Sequence, residues 1–169
     1  MSRQHGLFVT DAYLMEAKRQ RRPTLVIGIG NEWRGDDAAG LLVARQLRRC
    51  GRTSFAVLEH NGEGAALMEL WNRWDAVVVV DAVRSGAEPG TVYRCDAISQ
   101  PLPGKIRQGS THAFSLGEAI ELGRALNQLP PHLVVYAIEG QNFDAGDRLS
   151  SQVEGVISAV ADRILQEIH

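Results

Sequence analysis

Apolar positions along the chain fall into two periods. Four continuous runs, at 24–29, 55–59, 76–81 and 133–138, are short, with β-branched residues prominent in them. Runs of that kind suit strands covered on both faces. The clearest is the row of four valines, Val77 to Val80, that leads into Asp81. Between and after these runs, 37–50, 64–73, 113–127 and 149–167 repeat their apolar residues at helical spacing. Strands alternating with helices predict a parallel sheet with helices on both sides. One segment breaks the alternation. Thr91 to Arg94 has strand character, yet the link from Ala82 to Gly90 is too short for a crossover helix and contains Pro89-Gly90. Residues 91–95 are therefore expected to form an antiparallel edge strand. Residues 96–111, with Pro101, Pro103, Gly104 and Gly109, read as a long loop, and such loops inside a compact domain are often functional. The expected fold is α/β: a three-layer sandwich around a five-stranded, mostly parallel twisted sheet with one antiparallel edge strand.

Composition narrows the class without naming a function. The chain has 169 residues, 44% hydrophobic and 22% charged, which fits one globular domain with a substantial core. Residues 23–169 are expected to form that domain, with 1–22 as an N-terminal extension. A formal net charge of -2 recommends neither nucleic acid nor an anionic membrane as a partner. No apolar stretch approaches the ~20 residues of a membrane span, and the start lacks the apolar core of a signal peptide. Cys50 and Cys95 stand alone, outside any CxxC, and read as reduced thiols of a cytoplasmic protein.

The chemistry concentrates in Leu25 to Gly40, LVIGIGNEWRGDDAAG. An apolar strand ends in a glycine turn at Gly28 and Gly30, two aspartates follow, and a helix begins. In an open α/β sheet such a junction faces the ligand crevice. A dinucleotide fingerprint would need a third glycine at position 33, where the chain has Trp33. Asp36 and Asp37 would also repel a pyrophosphate at the helix N-terminus. Glu59 remains the one residue placed like a ribose ligand. The P-loop signature is absent. A different set is better supported. Asp81 stands at the carboxyl end of the valine strand. His112 closes the long loop, just after Ser110 and Thr111, which resemble a helix N-cap. With one or both aspartates of the first loop they make an O/O/N set suited to a divalent transition metal with open positions. Asp36 is a natural N-cap for the following helix, which leaves Asp37 the better ligand candidate.

GIGNEWRGDDAAG, VVVVDAV, GSTHAFSL and IEGQNFDAGDRLS, in this order and spacing, resemble the maturation endopeptidases of nickel-iron hydrogenases. The resemblance runs from about Thr24 to the C-terminus. It implies a five-stranded twisted sheet between helices and an activity classed as aspartic-type. It also implies metal ligands that fall, motif by motif, on Asp37, Asp81 and His112. The implied substrate is a hydrogenase large-subunit precursor, whose C-terminal extension is removed after nickel insertion. Nickel would come with the substrate, other divalent metals being able to substitute, and would act in recognition, in catalysis, or in both. Two features depart from the family pattern. Ala38 stands where glycine is common, and the usual Asp-Gly-Gly after the second strand is replaced by Glu59-His60-Asn61-Gly62-Glu63-Gly64. His60 and Glu63 are thereby further candidates for ligands or specificity residues, with Glu63 better read as a helix-start carboxylate. Two other classes of function stay open: a nucleotide-binding oxidoreductase domain, and a non-catalytic nickel-sensing assembly chaperone.

Overall fold

A computed structural model describes residues 24–108 and 114–168. The predicted extension 1–22, Ser110, Thr111 and His112 lie outside the described residues. Five strands form one sheet: β1 (Thr24–Ile29), β2 (Phe55–His60), β3 (Ala76–Val83), β4 (Val92–Asp96) and β5 (His132–Glu139), in the order β2-β1-β3-β5-β4. β1, β2, β3 and β5 run parallel, with Val26 opposite Val57 and Val78, and Asp81 opposite Ala137. β4 pairs antiparallel with β5 at the sheet edge, Cys95 opposite Val135, as the short link before it requires.

The helices are α1 (Ala39–Arg49), α2 (Gly64–Trp71), α3 (Gly104–Gln108), α4 (Leu116–Ala125), α5 (Ser151–Glu154) and α6 (Ile157–Glu167). Successive side chains of a strand point to opposite faces, and the central strands β1, β3 and β5 are buried on both. Val77 and Val79 join Leu67, Trp71 and Ile120 on the α2–α4 side. Val78 and Val80 join Val43, Leu47, Val160 and Ile164 on the α1–α6 side. The helix after β1 therefore covers one face and the helix after β2 the other. That places a topological switch between β1 and β3, where open α/β sheets hold their ligands beyond the carboxyl ends of the strands.

The predicted strand and helix bounds need four corrections. Asp81 does not end its strand: β3 continues through Ala82 and Val83, both buried against the core. The stretch read as a loop contains α3. Its first turn is closed by Ile106 and Arg107 N–H groups donating to the Pro103 carbonyl, at 2.9 and 3.0 Å. A proline is well suited to a helix start, and Leu102 and Ile106 sink into the core. The helix expected from 113 begins at Leu116 and is capped by Ser115, not by Ser110 or Thr111. Ser115 Oγ accepts from Glu118 N–H while Glu118 Oε2 accepts from Ser115 N–H, a reciprocal capping box. The last helix is interrupted at Gly155, which separates α5 from α6.

Candidate active site

The loop after β1 passes over the carboxyl ends of β1 and β3 and closes in a single 3-10 turn, Gly35–Ala38, in which all four residues are buried. Its path depends on glycine for the close approach of backbone to backbone. A Cβ on Gly28 would stand 2.2 Å from the Gly40 carbonyl oxygen, and one on Gly40 2.3 Å from the oxygens of both Ile29 and Val80. These two glycines let α1 lie directly on β1 and β3. A Cβ on Gly30 would meet the Asp37 carbonyl oxygen at 1.9 Å.

Asp37 and Asp81 are both 7% exposed. Asp81 lies toward the α2–α4 face by strand alternation. Burial pushes its carboxyl up to about 7, the Asp37 charge pushes the same way, and the hydrogen bond with the Ala82 backbone opposes them. Two carboxylates in one water-poor place cannot both ionise without cost. The arrangement can hold a proton near neutrality, or accept a cation in its place. Among the described residues, no group of three or more His, Cys, Asp or Glu side chains is arranged to hold a metal ion. The third predicted ligand, His112, lies outside them.

Asp36 is not a helix cap. α1 has no side-chain cap at all. Asp36 is fully buried, and its carboxylate turns away from α1 to the segment after β5. Oδ2 accepts from the N–H groups of Gln141 (2.7 Å) and Asn142 (2.9 Å) and from Ser150 Oγ (2.8 Å), while Oδ1 accepts from Ser150 N–H (2.7 Å). Burial pushes this carboxyl up, but the donors of Asn142, Gln141 and Ser150 outweigh it and hold it below the usual aspartate range. The helix-cap reading failed because a local rule was applied to a residue whose partners lie over 100 positions away.

Glu139, buried at the end of β5, was also missed. It accepts from the backbone N–H groups of Ser85 and Gly86 and from Ser85 Oγ at 2.6 Å, and so shapes the turn after β3. An acid closing an otherwise apolar strand was the available signal. Glu63 is the helix-start carboxylate expected, accepting from Ala65 and Ala66 N–H at 3.0 and 2.9 Å. His60 Nδ1 accepts from Gly62 N–H at 2.9 Å. Glu59 is held by Arg45 and Arg48, each with a contact of 2.8 Å. A cleft of about 360 Å3 opens here, lined in part by Gly30, Trp33, Leu41, Arg45, Glu59 and His60.

The family profile described as HycI, hydrogenase maturation protease, matches residues 42–167, well over half of the sequence. The chain belongs to the hydrogenase maturation protease family. Among family relatives, the hydrogenase expression/formation protein HupD of Thiocapsa roseopersicina is 27% identical over 145 residues, covering 84% of this chain and 66% of HupD. The NiFe hydrogenase maturation protease HybD of Thermococcus kodakarensis superposes with a TM-score of 0.70 at 25% identity, covering 88% of this chain and 100% of that one. The hydrogenase maturating endopeptidase HybD of E. coli gives 0.72 at 20% identity, covering 86% and 91%, and shares the fold. The family's sheet, with its single antiparallel strand and flanking helices, is the one predicted from the apolar pattern.

Proposed function

We infer that this chain is the endopeptidase that removes the C-terminal extension of a nickel-iron hydrogenase large-subunit precursor after nickel insertion. We assign Asp37, Asp81 and His112 to the recognition of the substrate-borne nickel. The observation that carries this reading is the buried carboxylate pair at the switch point, in a chain of this family. Asp81 is held up to about 7 by burial and by Asp37. A divalent cation offsets both causes, so the pair favours a cation over a second free charge. Oxygen donors joined by one imidazole suit a divalent first-row metal and leave positions for groups of the precursor. When bound, nickel supplies a positive centre able to polarise a nearby carbonyl. The residues of this chain orient it: Asp37 from the 3-10 turn and Asp81 from the central strand.

The test is incubation of the protein with nickel-loaded and nickel-free precursor, followed by intact-mass measurement of the large subunit. The expected result is loss of the C-terminal extension from the loaded precursor alone. A stable complex with no change in mass would make the protein an assembly chaperone. Equal cleavage of both forms would remove nickel from the recognition step.

A further inference from the structure

The segment after β5 is joined to the acid loop far more closely than a connection to the last helices needs. Besides the four bonds to the Asp36 carboxylate, the Asp36 N–H donates to the Asn142 carbonyl at 2.8 Å and the Gly35 N–H to the Gly146 carbonyl at 2.7 Å. In return the Gly146 N–H donates to the Trp33 carbonyl at 2.8 Å, and Arg34 Nε to the Phe143 carbonyl at 3.3 Å. Two glycines make room for the contact. Gly35 has φ +55°, and a Cβ there would lie 2.6 Å from the Asn142 oxygen; one on Gly140 would lie 2.5 Å from the Phe143 ring and 3.1 Å from Asp36 Cβ. Asp37 is the next residue in the same single turn, whose Asp37 N–H donates to the Arg34 carbonyl at 3.1 Å. The backbone that carries Asp37 is thus held from outside its own segment, and the Asp36 carboxylate is the centre of that hold.

We propose that Asp36 is a positioning residue of the cleavage site: by anchoring 141–150 it sets the position of Asp37 relative to Asp81. This rests on the proposed function, and gives the adjacent acids different tasks. Asp37 meets the substrate's metal, and Asp36 acts only through Asp37. The hold asks for a carboxylate. Both oxygens accept, and in asparagine one becomes an NH2 that would face N–H donors. Buried donors left without acceptors are costly, so the 141–150 segment moves and the turn follows. Removing an outer partner of a metal ligand typically costs 10–100-fold in metal affinity or activity.

The test compares Asp36→Asn with Ser150→Ala, which removes one of the four bonds and keeps the carboxylate. Both are read by amide exchange and by processing of the nickel-loaded precursor. For Asp36→Asn, exchange should quicken by tenfold or more at Gln141, Asn142 and Ser150 and also at Asp37 and Ala38. Amides of β1 and β3 should keep their protection. The cleavage rate at limiting precursor should fall about 10–100-fold through a matching rise in the half-saturating precursor concentration, with the rate at saturation within about threefold of wild type. Ser150→Ala should lose less than about fivefold in rate, and it carries the same comparison if Asp36→Asn does not fold. Wild-type cleavage by folded Asp36→Asn overturns the proposal, as does an unchanged rate in a Ser150→Ala protein that has lost protection at Asp37. If wild-type protein leaves the precursor uncut, the proposed function fails, and exchange alone decides: protection kept at Asp37 and Ala38 in Asp36→Asn overturns the positioning role.

Discussion

Asp81 combines a cost to the fold with the use proposed for it in the site. Its carboxyl is raised to about 7, against about 3.9 in an unfolded chain. The folded state therefore favours the protonated form. The stabilisation this gives is complete below pH 4 and lost as pH rises through 7. Asparagine keeps the size and removes the charge. Asp81→Asn should melt higher than wild type at pH 8 and lose nearly all of that advantage by pH 4. The gain should reach a few kcal/mol at most, at about 1.4 kcal/mol per pKa unit. Calorimetry at the two pH values checks the sign. The same variant should fail to process precursor, as should Asp37→Asn and His112→Ala, with far-ultraviolet circular dichroism unchanged. Wild-type cleavage by any of the three would remove that residue from the ligand set.

Between elements, close contact and a polar tie do different work. α1 reaches β1 and β3 because Gly28 and Gly40 have no side chains. Gly40→Ala would drive a methyl group into two backbone oxygens, and overpacking of that kind typically costs 1–3 kcal/mol. Urea unfolding should show that loss with little change in slope. On the same face of the sheet, where α6 packs beside α1, Tyr136 Oη donates to Glu167 Oε1 at 2.6 Å and Arg94 Nε to the same oxygen at 2.8 Å, joining β5, α6 and β4. Burial, and then the bond to Glu167, push the Tyr136 hydroxyl up to about 12. Its stabilising contribution is complete below pH 10 and lost between 10 and 12. Tyr136→Phe should cost about 1 kcal/mol at neutral pH. It should also flatten the fall in melting temperature across that alkaline window.

At the scale of the molecule, the sheet gathers its chemistry at one end and leaves the thiols elsewhere. Cys50 is exposed just beyond the C-terminal end of α1, and Cys95 is buried on the edge strand β4. Alkylation of Cys50 should therefore leave precursor processing within about twofold of the untreated protein, checked by intact mass. A large loss in folded, alkylated protein would bring the end of α1 into the reaction. No helix among the described residues is long and apolar enough to cross a membrane.

The strands, the antiparallel edge and the layered architecture were legible because they rest on short-range rules. β-branched runs, helical spacing and a link too short for a crossover each act within about ten residues. Asp37 and Asp81 are candidates in the sequence for a similar local reason, each coming after an apolar run, although β3 in fact carries on past Asp81 to Val83. What Asp36 does was not legible. Its partners, Gln141, Asn142 and Ser150, become neighbours only when β5 is laid beside β3 and the following segment turns back over the acid loop. The raised pKa of Asp81 likewise needs the burial and the Asp37 charge that folding imposes. Gly28, read in the sequence as part of a turn facing the ligand crevice, packs closely against Gly40 of α1. Composition and periodicity determined which segments become strands and helices, because hydrophobic burial and backbone geometry act along the chain. The tertiary structure alone decided that Asp36 anchors the segment after β5 and that the Asp37 charge acts on Asp81, because hydrogen bonds and charge depend on groups that only folding brings together.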